Sequence, residues 1–199
     1  MDIHDNLVIA HPLSTNDGYT WTLASQLGKM LHLAESLYGP RDSSYTLLGI
    51  EFIDGSPKCW YPGNRKHIVI QLGLPCLKEP DRACFQLAHE AIHLLSPTGS
   101  SNANVLEEGL ASHFQLFYMQ EHYPSDWPRS AVDWNRFDVQ SYTEAQISVE
   151  ALLDLDRDSI KTLRKKEATL SLISEQMILA SYPALHKEIA RSLCQRFRR

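Results

Sequence analysis

The feature that most constrains this chain is the sequence His-Glu-Ala-Ile-His at positions 89–93. Residues four apart lie on one face of an α-helix, so the imidazoles of His89 and His93 can reach a single metal ion. Glu90 lies about 100° from His89 around the helix, which places its carboxylate beside the metal. There it can accept a proton from a water that the metal activates. The pattern therefore predicts a helix that directs one face at a metal site.

The residues around this motif favour a helix seated in the core. Pro80 suits the first turn of a helix, Asp81 complements the positive helix N-terminus, and Pro97 closes the segment. Small and apolar residues recur on one helical face, and the two histidines lie off that face. The members of this apolar stripe are Cys84, Leu87, Ala88, Ala91 and Leu95.

A third metal ligand has to come from elsewhere, because catalytic zinc sites usually have three protein ligands. The next candidates are Glu107 and Glu108. Asn104 is a good N-cap, and Glu107 stands three residues later, where a capping box places its acidic partner. This assignment leaves Glu108 free to bind the metal. Gly109 and Ala111 are small and would let their helix approach the motif helix closely.

The sequence His89-Glu90-Ala91-Ile92-His93 followed by Glu107-Glu108-Gly109-Leu110-Ala111 resembles the gluzincin clan of zinc metallopeptidases, over about residues 19–122. The resemblance implies one Zn²⁺ ion bound by His89, His93 and Glu108. It also implies that Glu90 is the general base and proton shuttle of peptide-bond hydrolysis. Residues 67–72 then correspond to the edge strand that pairs with the substrate backbone in that family.

Three features depart from the family's pattern. The gap between His93 and Glu108 is 14 residues, shorter than in the larger gluzincins, which indicates a minimal version of the fold. Ser112 stands where the larger enzymes related to thermolysin carry an aspartate that orients a zinc histidine. The residue that steadies the oxyanion is not assigned, and the candidates by position are Tyr123, Tyr142, Tyr182 and His186.

The periodicity along the chain predicts the fold class. Apolar residues recur at helical spacing from 23 to 37, and two β-like runs follow at 45–53 and 67–72, joined by a long hairpin-like connection. The rest of the chain is helical in pattern. We therefore expect an α+β fold, zincin-like and mostly helical, with a small N-terminal-side sheet and an active-site helix pair. Residues 1–123 would form the metallopeptidase core, and 124–199 a helical lobe packed on it as one compact unit.

Composition bounds the partners and the compartment. The chain has 19 basic and 24 acidic residues, a formal net charge of −5, which argues against a nucleic-acid partner bound through a broad cationic face. The arginines near the C-terminus would complement the end of the last helix. The four cysteines form no C-x-x-C pair, and no apolar run approaches the length of about 18 residues that a membrane span needs. We expect a cytoplasmic protein that acts on a peptide or protein substrate, without a membrane partner.

The expected activity is therefore that of a zinc metallopeptidase. Two alternatives stay open: a zincin-like domain that binds or regulates without turnover, and a zinc-dependent hydrolase of an amide other than a peptide bond. The intact Glu90 favours an enzyme, while the departures at Ser112 and at the oxyanion partner favour a binding domain. The sequence leaves open the oligomeric state and the choice between endo- and exopeptidase action.

Overall fold

The computed structural model describes residues 14–15, 18–19, 22–63, 66–100, 102–122 and 137–198. Over these residues the fold is mixed α+β and mostly helical, which confirms the predicted class at this level. The predicted domain boundary at residue 123 lies outside the described residues. The described strands are β1 (Ser14–Thr15), β2 (Gly18–Tyr19), β3 (Thr46–Ile53), β4 (Lys58–Trp60) and β5 (His67–Gly73). The described helices are α1 (Leu23–Tyr38), α2 (Pro80–His93), α3 (Val105–His122), α4 (Phe137–Leu155), α5 (Ser159–Arg164), α6 (Glu175–Ser181) and α7 (Lys187–Leu193).

The main sheet has the order β3-β5-β4, with β3 parallel and β4 antiparallel to the central strand β5. Two predictions are wrong here: residues 67–72 are not an edge strand, and the connection before them is not a hairpin. Parallel strands need a crossover of about a dozen residues or more, and the 13 residues from 54 to 66 provide it. Part of that crossover forms β4, which pairs with the other side of β5 and becomes the edge strand.

Helix α1 confirms the helix predicted from its apolar spacing. Thr22 and Ser25 form a reciprocal capping box, in which each side chain accepts a hydrogen bond from the other residue's backbone N–H, at 3.0 and 2.9 Å. The helix ends at Gly39, whose φ of +94° is a conformation that residues with a Cβ rarely adopt. The buried face of α1 packs on α2 and so supports the motif helix from behind.

Helix α2 begins at Pro80, as predicted, and ends at His93, four residues before Pro97. All five residues of the predicted apolar stripe are fully buried. They join the inward-facing Ile68, Ile70 and Leu72 of β5 in the hydrophobic core. Because this stripe fixes the rotation of α2 about its axis, it also fixes the direction in which the two histidines point.

The side chain of Arg164 joins the C-terminal ends of two helices. Its guanidinium donates to the backbone carbonyls of Tyr38, Gly39 and Pro40 after α1, at 2.8 to 2.9 Å. It also donates to the carbonyl of Leu95 just after α2, at 3.0 Å. Helix C-termini carry unsatisfied carbonyls and partial negative charge, so a buried cation stabilises both ends at once. Arg164 therefore holds the His93 end of α2 against α1.

Helix α3 makes its closest approach to α4 at Gly109. A Cβ at this position would lie 2.3 Å from the backbone oxygen of Ala145 and 2.8 Å from Cγ2 of Val149. The prediction that this small residue lets α3 approach the motif helix is wrong, because Gly109 faces α4. The lack of a side chain brings the two backbones together directly beside Glu108.

Two expectations from composition can be compared with the described part of the chain. All four cysteines are free, with Cys76 and Cys84 buried and Cys59 and Cys194 half-buried, which agrees with the absence of a disulfide framework. Among the described helices, we find none with both the length and the apolar character that crossing a bilayer requires.

Candidate metal centre

The three predicted ligands meet between α2 and α3. One ligand atom each from His89, His93 and Glu108 lies within 4.8 Å of the other two. Nε2 of His89 is 3.2 Å from Oε2 of Glu108, and Nε2 of His93 is 3.9 Å from Oε1 of the same carboxylate. In a tetrahedral site with ligands at about 2.0–2.1 Å, two ligand atoms are separated by about 3.3–3.4 Å. The spacing around Glu108 is therefore that of a site able to hold a metal ion.

Each histidine is oriented by a second residue of α3. Nδ1 of His89 lies 2.9 Å from Oε1 of Gln115, and Nδ1 of His93 lies 2.8 Å from Oε1 of Glu107. Both oxygens are acceptors, so in the neutral imidazoles the proton belongs on Nδ1 and the lone pair on Nε2. This tautomer directs the metal-binding nitrogen of each ring toward Glu108.

The resulting arrangement fits a cation. With Nδ1 protonated, Nε2 of His89 and Oε2 of Glu108 face each other across 3.2 Å as two acceptors. Two lone pairs at this distance repel each other unless a proton or a metal ion lies between them. The side chains of both histidines and both glutamates of α3 are only 7 to 13% exposed, so water does little to weaken these interactions.

Glu107 performs a role that the sequence analysis did not assign. Half of the predicted capping box is present, because Oδ1 of Asn104 accepts from the backbone N–H of Glu107 at 2.9 Å. The carboxylate of Glu107 does not complete the box and instead accepts from His93. The prediction that Glu107 is a capping partner is therefore wrong for its side chain, although Glu108 is still the residue at the candidate metal position.

Gln115 was not predicted, although the sequence carries a signal for it. It lies seven residues after Glu108, which is two helical turns and therefore the same face of α3. Ser112, at the position of the family's aspartate, donates to the backbone oxygen of Glu108 at 2.9 Å and contacts neither histidine in this way. Glu107 and Gln115 thus flank the ligand position and orient the two rings in place of that aspartate.

Glu90 is the predicted base, and its carboxylate is 2% exposed. Its Oε2 atom accepts no hydrogen bond from any described residue. A buried carboxylate oxygen without a donor is unfavourable, and such groups in folded proteins call for an explanation such as a bound water or ion. The negative charge of Glu90 acts on His93 and raises the pKa of its imidazole, so this carboxylate lies close to the candidate ligands.

The thiol of Cys59 on β4 lies beside Glu90. Its Sγ atom is 3.9 Å from the backbone oxygen of Glu90, which brings the edge strand against the motif helix. Burial raises the pKa of this thiol well above its usual range, and the carboxylates of Glu90, Glu107 and Glu108 raise it further. Cys59 is not a member of the group that could hold a metal ion, which is built from nitrogen and oxygen.

The carboxylates also control the protonation of His93. Burial lowers the pKa of this imidazole, but the negative charges of Glu108, Glu107 and Glu90 outweigh burial and raise the pKa to about 10. Without a metal ion, His93 therefore carries a positive charge at neutral pH. Metal binding requires a neutral imidazole, so the ion displaces this proton when it binds.

Of the four oxyanion candidates, Tyr142 on α4 lies beside the candidate metal centre. Its ring packs edge-on against His89, with ring centroids 5.7 Å apart. The hydroxyl of Tyr182 instead donates to Asp156 at 2.8 Å, and His186 caps α7 by accepting from the backbone of Glu188. Tyr123 lies outside the described residues.

A further histidine of α3, His113, lies away from the ligand group. It is half-buried, and its Nδ1 lies 3.1 Å from Oε1 of Glu150 on α4, so it has a partner and stands outside the ligand group. The centre thus combines three potential ligands, two groups that orient them and the buried carboxylate of Glu90, whose Oε2 accepts no hydrogen bond from the described residues. Comparison of the chain with models of known protein families, with curated proteins and with solved structures gives no match.

Proposed function

We propose that this protein is a zinc-dependent peptidase of the gluzincin type, which hydrolyses peptide bonds of a peptide or protein substrate. The observation that carries the proposal is the buried Glu90 carboxylate, whose Oε2 has no donor, next to the group formed by His89, His93 and Glu108. A purely structural metal site has its coordination filled by protein ligands and needs no additional base. Three ligands and an adjacent carboxylate with an oxygen able to accept a proton are what a hydrolytic site needs.

Zinc is the ion that this donor set suits best. Two imidazole nitrogens and one carboxylate oxygen form a three-ligand set found in catalytic zinc sites, which keep one position open. Calcium and magnesium prefer oxygen ligands only, and thiol ligands are missing from the group. When bound, zinc supplies a Lewis acid that polarises the scissile carbonyl and makes a neighbouring water more acidic.

The residues of the chain then have separate tasks. Glu90 takes a proton from the attacking water and gives it to the amine of the leaving group. Glu107 and Gln115 hold the imidazoles in the tautomer that leaves Nε2 available. Tyr142, which packs on His89, is the residue we assign to the developing negative charge on the carbonyl oxygen.

The edge strand β4 is the element along which we place the substrate backbone. It pairs with β5 on one side, and Cys59 at its centre contacts Glu90. An extended peptide that adds to the other side of β4 would pass beside the general base. This assignment replaces β5, which is central in the sheet, and retains a zincin-like arrangement of a sheet edge next to the motif helix.

The proposal is tested with Glu90→Gln, which preserves the shape of the side chain and removes the base. We expect the purified variant and the parent each to bind one zinc ion per chain. The variant should hydrolyse a mixture of peptides about a hundred- to ten-thousand-fold more slowly than the parent. Glu79→Gln is the matched control, because Glu79 pairs with Arg82 at the exposed start of the same helix. Parental rates in Glu90→Gln would refute the mechanism.

The same digest separates the proposal from its alternatives. If the zinc-loaded parent cleaves no more peptide than the same protein after treatment with a chelator, the chain is a binding domain or a hydrolase of another amide. Tyr142→Phe adds a second measurement, since loss of one oxyanion donor costs about a hundred- to a thousand-fold in kcat with little effect on KM.

A further inference from the structure

A second concave surface lies next to the metal centre, between α4 and the end of the chain. It is a cleft of about 630 Å³. Ser141, Glu144 and Ala145 of α4 line one side, and Arg196 and Arg198 line the other. The sequence analysis assigned the terminal arginines to the end of the last helix, but α7 ends at Leu193 and these two arginines lie beyond it.

The C-terminal segment is held in place by backbone pairing. The N–H of Val105 donates to the oxygen of Gln195 at 2.9 Å, and the N–H of Phe197 donates to the oxygen of Ala103 at 3.0 Å. The ring of Phe197 packs against Tyr142, with centroids 4.8 Å apart. Arg196, Phe197 and Arg198 all line the cleft, so this pairing holds the two arginines at its wall beside the Phe197 ring.

The charges of the cleft favour an acidic ligand. Within the described residues, neither Arg196 nor Arg198 forms an ion pair, and both are exposed. Arg191 of α7 differs from them, since it pairs with Glu175 at 3.6 Å. The carboxylate of Glu144 on the opposite wall accepts a hydrogen bond from Gln140 at 3.0 Å. A chain with a net charge of −5 thus presents, at one cleft, two guanidinium groups that no described carboxylate pairs with.

Some residues that line the cleft are close neighbours, along the chain, of residues at the candidate metal centre. Ser141 on its wall precedes Tyr142, which packs on His89. Val105, which also lines the cleft, lies three residues before Glu108 on α3. The Tyr142 ring thus contacts both His89 of the candidate metal centre and Phe197 of the cleft.

We infer that this cleft is a substrate subsite for an acidic stretch of peptide, with Arg196 and Arg198 as the residues that determine specificity. The inference rests on the proposed function for its choice of a peptide ligand. Guanidinium groups bind carboxylates through paired N–H donors, and this geometry suits glutamate and aspartate side chains. The subsite would select substrates with acidic residues at a fixed distance from the scissile bond.

The experiment measures binding without turnover. A fluorescein-labelled peptide with a run of glutamates and its twin with glutamines are titrated against zinc-loaded Glu90→Gln, with fluorescence anisotropy as the readout. The protein with both arginines intact should bind the glutamate peptide about tenfold more tightly than the glutamine peptide, since two exposed ion pairs of ordinary strength add up to this factor. High salt should abolish the difference.

Substitution of the arginines completes the test. Arg196→Gln with Arg198→Gln should remove the preference and leave the affinity for the glutamine peptide unchanged, whereas Arg191→Gln should change neither. Charge reversal, Arg196→Glu with Arg198→Glu, should invert the preference. Equal binding of both peptides, or a preference that survives the double substitution, would overturn the inference. If the preference holds while the parent hydrolyses no peptide, the cleft stands and the proposed function fails.

Discussion

The substitution Gly109→Ala sets two physical effects against each other. Alanine is the better helix former by about 1 kcal/mol, so propensity alone predicts a more stable protein. The new Cβ, however, would lie 2.3 Å from the backbone oxygen of Ala145, 2.6 Å from its carbonyl carbon and 2.8 Å from Cγ2 of Val149. Two of these atoms belong to the backbone of α4 and cannot rotate away.

The steric effect should prevail. Relief of the contact requires α4 to move away from α3 by about 1 Å, and overpacking of this kind costs about 1–3 kcal/mol. The cost belongs near the upper end because backbone is displaced, which leaves a net loss of about 2 kcal/mol after the gain in propensity. For a chain of this size, the expected fall in Tm is about 4–8 °C. Glu108 immediately precedes Gly109, so a displacement of the helices at this point should also lower the affinity for the metal.

Thermal unfolding of the metal-free protein, followed by circular dichroism, measures the stability effect. The matched control is Gly28→Ala at an exposed position of α1, where an added Cβ meets no atom within 4 Å. That variant should gain about 0.5–1 kcal/mol. If Gly109→Ala were stabilised to the same extent, the close packing of α3 on α4 at this residue would be refuted.

Three further predictions concern protonation, orientation and helix ends. In metal-free protein, the stabilisation from His93 should be fully present below its unfolded pKa of 6.5 and be lost as pH rises through about 10, because the folded state holds the proton more tightly. Urea unfolding across this range in EDTA measures it, and a His93→Gln variant should lack the slope. Gln115→Leu should weaken zinc binding about 10- to 100-fold in a chelator competition, since Nδ1 of His89 loses its acceptor, whereas Gln115→Glu should retain affinity. Arg164→Met should lower the free energy of unfolding by about 1–3 kcal/mol because buried carbonyls lose their donor, while Lys161→Met, at an exposed bond to Ser36, should cost less than about 1 kcal/mol.

The local periodicity of the chain was sufficient to predict the motif helix and its histidines. Helical spacing determines which residues share a face, so His89 and His93 had to point together once the apolar stripe was buried. Strand pairing was not predictable in the same way. The pattern of β5 indicates a strand, but alternation carries no information on whether its neighbours are parallel, and the crossover through β4 depends on contacts between distant residues.

Long-range contacts account for the remaining differences. Gly109 was recognised as a site of close approach, but the sequence does not say which helix approaches it. Arg164 binds carbonyls of residues far earlier in the chain, and Phe197 returns to Ala103 beside the ligand helix. Glu107 does not complete the predicted capping box, because local hydrogen-bond rules cannot foresee a competing imidazole from α2.

The cluster of carboxylates supports the proposal that this site performs chemistry. Glu90, Glu107 and Glu108 are 2, 6 and 7% exposed, and each buried charge costs several kcal/mol unless it is paired. In the metal-free protein the proton on His93 offsets part of this cost. The offset is incomplete, since one oxygen of Glu90 has no donor among the described residues. A divalent cation with a water beside it would supply both the missing charge and the missing donor. Apolar side chains would make a more stable core at these positions, so the retained charges are best explained by chemistry performed there.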